Sequence, residues 1–369
     1  MDEPDIVVIG GGIVGSAIAW GAARSEARVC VLDEGDIALR ASRGNFALIW
    51  VQTKGLGMSD YSAWTKLSAD RWPSVARDLQ DETGVDVALR QPGGFMLSLS
   101  DEEMQRRIER MHRLRQQPRM VDFPVEVLVR SETKRRLPLI GPDVVGALYS
   151  PLDCHVNSLR LFRALHAALK ARGVEYRPNQ PVTSVKREPG GFVIQGDWGT
   201  IGAGKVVLAA GLGNARLAPM VGLAAPVTPS KGQIIATERT TPFLHYPLSA
   251  LRQTDEGSVL IGDSQEDLGF DTAVTNPILS VMASRAVRMF PLISRLNVVR
   301  TWSALRVMSP DGFPIYDHSV ACPGAFLATC HSGITLAASH ATELAPAIAQ
   351  GGLPAECRAF GAHRFNGPN

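Results

Sequence analysis

The chain has 369 residues, 45% hydrophobic and 20% charged, a globular composition with length for about two domains. Lys plus Arg number 38 against 36 Asp plus Glu, a formal charge of +2, so no strong field favours polyanions and nucleic acid is not the expected partner. Five cysteines (Cys30, Cys154, Cys322, Cys330, Cys357) form no C-x-x-C pair and leave one over, which argues against a disulfide framework or a zinc site and for a cytoplasmic location.

Ile6 to Ala23 runs eighteen residues without a charge, near the length of a membrane span. It follows Asp2, Glu3 and Asp5 rather than a basic region, and three glycines interrupt it, so neither a signal peptide nor a span is expected. Ile6 to Ile9 instead reads as a buried parallel strand, Ile13 to Ala23 as a helix of small residues, and Ala27 to Leu32 as a second strand ending at Asp33. Together they make a βαβ unit.

Asn157 is placed to cap a helix with Leu159, Phe162, Leu165 and Leu169 on its apolar face, and Gly173 ends it before a strand at Val174 to Tyr176. Further strands are expected at Val182 to Lys186, Phe192 to Gln195 and Lys205 to Ala209, the last entering the glycine turn Ala210 to Gly213. Phe326 to Thr329 is a strand, Ser332-Gly333 a turn, and Ile334 to Ala349 a helix. Three strand-turn-helix pieces near the start, middle and end suggest one nucleotide-binding domain assembled discontinuously from 1–45, 151–225 and 306–369. Residues 46–150 and 226–305, with strands such as Gly232 to Thr237 and Ser258 to Ile261, form a substrate domain. The arginine-rich stretch Asp101 to Arg119 is offset by Asp101, Glu102, Glu103 and Glu109 and reads as a solvated helix; it, Trp50 and Trp64 are candidate partner-facing surface.

Gly10-x-Gly12-x-x-Gly15 has the dinucleotide spacing: a tight turn, access for a pyrophosphate, and close approach of helix to strand. Asp33, at the end of the next strand, is placed to accept from a ribose hydroxyl and would repel a 2′-phosphate, which favours FAD or NAD over NADP. Glycine turns spread to Gly211 and Gly333 suit an extended cofactor held at both ends. No nucleophile elbow and no paired carboxylates support a hydrolase. His245 has no ligand spacing around it and reads as solvated or core.

The Gly10 to Asp33 unit, the strand and turn Lys205 to Gly211, Arg306-x-x-x-Pro310-Asp311-Gly312-x-Pro314, and Cys330-His331-Ser332-Gly333-Ile334-Thr335-Leu336 resemble the D-amino-acid oxidase superfamily over nearly the whole chain. Ser42-Arg43-Gly44-Asn45, Leu48 to Gly55 and Ala304 to Gly312 most resemble the catalytic β subunits of opine, D-hydroxyproline and cyanide-forming glycine dehydrogenases. The resemblance implies an α/β fold of glycine oxidase or sarcosine oxidase type: a discontinuous Rossmann-like FAD-binding domain plus an α+β substrate domain with a mainly antiparallel sheet.

The resemblance also implies site residues. Gly10, Gly12 and Gly15 with Ile13 and Val14 would hold the FAD pyrophosphate, Asp33 and Glu34 the adenosine ribose, and Val182 the adenine. Ser42, Arg43 and Asn45 would meet the phosphate or flavin side, Ala210 and Gly211 the central turn, and His331, Ser332, Gly333, Ile334 and Thr335 the flavin pyrimidine end. Arg306 would clamp a substrate carboxylate next to the flavin through a bidentate guanidinium fork, the alternative being a structural pair with Asp311. His155 and Lys54 complete the catalytic candidates. Relatives that tether the flavin carry a cysteine where Ala304 stands here, so the FAD is expected to be non-covalent. Those relatives also place an oxygen-activating lysine where this chain has Val259-Leu260-Ile261, which points to a dehydrogenase, although Lys54 could supply the charge from another loop.

The implied reaction is oxidation of the C–N bond of a small amino or imino acid or opine, such as D-hydroxyproline, a D-amino acid or octopine, by hydride transfer to flavin N5. The resulting imine hydrolyses. Electrons would pass to partner subunits, an α chain and an iron–sulfur or small γ subunit, through an FMN at an interface or a cluster on another chain; this chain lacks the cysteines for its own cluster and no metal is expected in it. The alternatives are a self-sufficient glycine or sarcosine oxidase releasing hydrogen peroxide and a non-catalytic flavin-carrying subunit.

Overall fold

The computed structural model describes residues 3–35, 41–42 and 44–365. Arg43, one of the expected cofactor contacts, lies outside the described residues.

A six-stranded sheet runs in the spatial order Ile315–His318, Ala325–Thr329, Lys205–Leu208, Ile6–Ile9, Val29–Leu32, Glu175–Arg177. All neighbours are parallel except the edge strand Ile315–His318, which pairs antiparallel with Ala325–Thr329. Strands from the start, middle and end of the chain are thus adjacent, and their carboxyl ends share one edge, where an open α/β sheet binds ligands. The β-branched run Ile6–Ile9 is buried on both faces.

The apolar run Ile6 to Ala23 is divided by the glycine turn into that strand and the helix Ile13–Arg24. Among the described residues no helix is long and apolar enough to cross a membrane. The small residues of this helix permit close packing: a Cβ on Gly21 would lie 2.1 Å from the Ala341 carbonyl oxygen of the C-terminal helix. That C-terminal helix is not the uniform one expected. It begins α-helical at Gly333–Ser339, widens into a π turn at His340–Leu344, and resumes at Ala345–Ala349. Pro346 lacks an N–H and its ring conflicts with the preceding turn, which the widened turn accommodates.

Asn157 caps the helix Ser158–Ala171, its Oδ1 accepting from Leu159 N at 3.2 Å and Arg160 N at 3.1 Å. The buried face, however, is Leu161, Ala164, Leu165, Ala168 and Leu169, while Leu159 is 62% exposed. Alanines allow this helix to approach Ile13–Arg24 closely, so the face that packs is rotated from the one its large residues suggest. The strand expected from Val182 runs Ser184–Glu188, and Val182 lies in the segment that enters it.

Among the described residues Leu48–Ile49 pairs antiparallel with Cys154–His155, and three larger antiparallel sheets are present. Ser184–Glu188, Gly191–Gly196 and Gly199–Ala203 form a meander beside the parallel sheet. Gly94–Ser98, Gly146–Ser150 and Glu126–Val129 form a second. The third runs in the order Leu251–Gln253, Ser258–Ile261, Thr228–Arg239, Val298–Met308. The arginine-rich helix spans Asp101–Arg115, is capped by Ser100 Oγ accepting from Glu103 N at 3.2 Å, and buries only Met111 and Leu114. Trp50 and Trp64 are not partner-facing surface: they are 6% and 1% exposed, the Trp64 indole donating to the Tyr316 hydroxyl at 3.3 Å. Burying so large an apolar ring outweighs exposing it for a partner.

Candidate active site

A cavity of about 550 Å³ opens along the carboxyl ends of the parallel strands. Its walls follow the strand order: Asp33, Glu34, Gln180 and Val182 at one end, then Gly10, Gly12, Ile13 and Val14 with Ser42 and Asn45, then Ala210 and Gly211, and finally Cys330, His331, Gly333 and Ile334. Leu305 and Val307 of the strand Val298–Met308 close it from the antiparallel sheet.

The glycine turn is sterically obligatory. Gly10 has φ +111°, and a Cβ there would lie 2.4 Å from the Ala209 carbonyl oxygen; a Cβ on Gly15 would lie 1.9 Å from the Gly10 carbonyl oxygen. Asp33 ties the turn to the second strand, accepting from Gly11 N at 2.6 Å and Gly35 N at 3.0 Å. Ser42 Oγ accepts from Ile13 N at 2.9 Å. The helices starting at Ile13 and Gly333 have no acidic residue in the first turn and no cap from the side chain of their own N-cap residue, so two positive helix ends border the cavity.

At the Cys330 end the side chains interlock. Lys54 Nζ donates to Ser332 Oγ at 3.0 Å and lies 3.3 Å from His331 Nε2; the Tyr61 hydroxyl donates to Ser332 Oγ at 2.9 Å. Burial lowers the Lys54 ammonium to about 8, with Asp153 opposing. Burial and the charges of Lys54 and Arg306 keep His331 neutral. Asp153 is fully buried, accepts from Gln52 N at 3.2 Å and from Val51 N and Gln52 Nε2, and burial pushes its carboxyl up to about 7. Ser332 and Thr335 do not wall the cavity: Ser332 belongs to this network, and Thr335 Oγ1 donates to Leu48 O at 3.2 Å and accepts from Trp50 N at 3.3 Å.

Arg306 lies between Leu305 and Val307, so its side chain takes the other face of that strand. It covers Gly232, where a Cβ would come within 2.5 Å of Nη1, and donates to Lys231 O at 3.4 Å. It does not pair with Asp311, which Arg364 holds at 2.7 Å. His155 is not brought to these groups. It lines a separate pocket of about 260 Å³ with Arg90, Asn157, Arg252 and Asp255, and burial, with Arg252, lowers it to about 3. His245 stands exposed at that pocket, as a solvated histidine should. Ala304 is buried on the strand opposite Gly232, and Val259, Leu260 and Ile261 are all buried.

Residues 5–347 match the FAD dependent oxidoreductase family. The chain belongs to that family. It is 50% identical over 366 residues, 99% of both chains, to the B subunit of opine oxidase from Agrobacterium tumefaciens (strain Ach5), and 46% identical over the same extent to the protein of the same name from Rhizobium meliloti. Its fold is that of the crystal structure of glycine oxidase from Geobacillus kaustophilus, with a TM-score of 0.90 and 25% identity over 98% of both chains.

The residues of this FAD-dependent oxidoreductase fit the cofactor its family implies. A cavity bordered by two helix N-termini, with a side-chain-free approach at Gly12, where a Cβ would meet Ser42 Oγ at 2.9 Å, suits a diphosphate-linked dinucleotide. Sequence reasoning misses Asp153, Tyr61 and Gln180. Asp153 neighbours His155 in the chain, but no spacing shows that its carboxylate holds the backbone of residues 51–52.

Proposed function

We propose that this FAD-dependent oxidoreductase oxidises the C–N bond of an opine or a related small amino or imino acid and acts as one member of a hetero-oligomer. The full-length 50% identity to an opine oxidase B subunit carries this reading. Residues 1–45, 151–225 and 306–369 form its FAD-binding part, and 46–150 and 226–305 its substrate part. Asp33 and Glu34 hold the ribose, the Gly10 to Gly15 turn the pyrophosphate, Val182 the adenine, and His331, Gly333 and Ile334 the flavin end. The FAD is non-covalent, since Ala304 stands where relatives that tether the flavin carry a cysteine.

Arg306 binds the substrate carboxylate through its planar fork, since one 3.4 Å bond leaves most of its donors available. Lys54 holds a positive charge beside His331 below pH 8. Bound FAD supplies a hydride acceptor at N5, so that the substrate leaves as an imine that water hydrolyses. Trp50 and Val51 backbone, fixed by Thr335 and Asp153, shield this end from water. Electrons leave through partner subunits, by an interfacial FMN or an iron–sulfur centre on another chain. All five cysteines are free, which suits the reducing cytoplasm.

Anaerobic flavin bleaching by octopine tests the reading. Replacing Arg306 by Leu should lower the second-order rate of bleaching about 100-fold, mainly through substrate affinity. Unchanged bleaching would remove Arg306 from the site. The likeness to glycine oxidase supports a second reading, a self-sufficient oxidase; rapid turnover in air with no added acceptor would favour it.

A further inference from the structure

Lys231, on the strand Thr228–Arg239, is a fully buried lysine that the chemistry above does not use. Its Nζ donates to Asp271 Oδ2 at 2.9 Å and to Ala273 O at 3.0 Å, with Glu266 Oε2 at 3.8 Å. All three groups belong to one segment, 266–275, which leads into the helix Asn276–Met289. A buried ammonium is tolerated only while it keeps its partners, so the segment cannot swing off the strand without stranding that charge. Further ties fix both of its ends. Lys231 and Glu266 exchange two backbone bonds of 2.9 Å. Gln233 Nε2 donates to Glu266 Oε1 at 2.7 Å and to Thr275 Oγ1 at 2.9 Å, while its Oε1 accepts from Thr275 N at 2.9 Å. Ser303 Oγ donates to Thr272 O at 2.6 Å.

These anchors lie on the cavity side of the strand pair. Ser303 stands opposite Gln233, Leu305 opposite Lys231 and Val307 opposite Pro229, so their side chains share one face, the reverse of the one that carries Arg306. On that face Leu305 and Val307 wall the cofactor cavity, and the anchored segment brings Phe270 and Thr272 to the same wall. Val307 Cγ2 lies 3.4 Å from where a Cβ on Gly211 would stand, which sets this wall against the central turn, between the Gly10 turn and the His331 end.

Phe270 is presented there by its neighbours. A tight turn precedes it, with Gly269 at φ +59° and Asp271 N donating to Leu268 O at 3.3 Å, and the anchored Asp271 follows. The ring is nevertheless 73% exposed, and leaving a phenyl group in water forgoes one of the larger apolar gains available to a side chain. An exposed ring, fixed in position beside Leu305 and Val307, is placed to pack on a molecule that enters the cavity.

We propose that segment 266–275 is a strap that Lys231 holds across the cofactor cavity, and that Phe270 packs on bound FAD and slows its escape; this rests on the FAD reading above. In the test, the full-length chain is loaded with FAD, freed of excess by gel filtration, and diluted while flavin release is followed by fluorescence. Phe270→Ala should release FAD about 10- to 30-fold faster than wild type. Its apoprotein should keep its melting temperature within about 1 °C, since the ring is mostly exposed in the chain itself, whereas the rise in melting temperature that FAD confers should shrink. Leu268→Ala, at an exposed neighbour that does not wall the cavity, should release at the wild-type rate. Lys231→Met, which puts an apolar chain in place of the buried ammonium, should also speed release, and in the double variant the two effects should not add. Release from Phe270→Ala at the wild-type rate overturns the proposal, as does an apoprotein of that variant that melts several degrees lower, because the ring would then serve the fold. Additive effects in the double variant overturn the role of Lys231. A wild-type chain that takes up no FAD overturns the cofactor reading itself.

Discussion

Lys54 sits at the end of the run Trp50-Val51-Gln52-Thr53, whose backbone is pinned by the fully buried Asp153 carboxylate, and its ammonium reaches His331 and Ser332. Because burial lowers it to about 8, it is charged below that pH and neutral above it. If FAD lies as proposed, a cation at its flavin end favours reduction, so the wild-type rate of anaerobic bleaching should exceed that of Lys54→Met about ten-fold at pH 7, and the ratio should shrink toward one by pH 9.5. A ratio independent of pH would show that the ammonium has no influence there. The glycine turn is legible in the sequence because its steric need is written in its own residue type. Asp153 and Tyr61 are not, since a hydrogen bond spanning roughly a hundred residues or more leaves no periodic trace. His155 stands out for its neighbourhood in the chain, yet its strand pairing with Leu48 turns the ring into another pocket.

Among the elements, the strand pair Thr228–Arg239 and Val298–Met308 positions Arg306. Ser230 lies opposite Arg306 and Gly232 opposite Ala304, so the guanidinium lies back over the glycine. A Cβ at Gly232 meets only the far end of that flexible side chain, 2.5 Å from Nη1. Gly232→Ala should therefore displace Arg306 rather than unfold the sheet, raising KM roughly 10- to 100-fold while the melting temperature stays within about 2 °C of wild type. A parallel fall in melting temperature would mean that the glycine serves the sheet itself. Strand alternation predicts none of this from Arg306 alone, because the partner register is a tertiary fact. The same holds for the helix Ser158–Ala171: its cap is readable from Asn157, but its buried face is set by alanines meeting another helix. Likewise Pro346 marks a perturbed helix, while the π turn before it depends on what that helix packs against.

Across the molecule as a whole, the C-terminal segment is fastened to the turn that follows the Arg306 strand. Arg364 binds both Asp311 oxygens, at 2.7 and 3.1 Å, and the carbonyls of Phe313 and Pro314 at 3.3 and 2.9 Å. Burial opposes ionisation of Asp311, but its hydrogen bonds to Arg364 win and hold the carboxyl below its ordinary value. A depressed carboxyl stabilises the fold above its unfolded pKa and loses that contribution as pH falls through its folded value. Arg364→Ala should thus cost about 2 kcal/mol at pH 7 by urea denaturation, with the gap from wild type narrowing below about pH 4. An unchanged gap at low pH would assign the loss to the backbone contacts instead. The parallel β-branched strands, the glycine turn after the first of them and the acid that ends the second are written in residue order, because they obey local sterics and burial on both faces. Three distant strand-turn-helix pieces are also enough to anticipate a discontinuous nucleotide-binding sheet. That Asp311 belongs to Arg364 and not Arg306, and that Trp50 and Trp64 are core, emerge only once the chain is folded. Those outcomes depend on which groups compete for the same partner in space, and neither residue type nor periodicity encodes that competition.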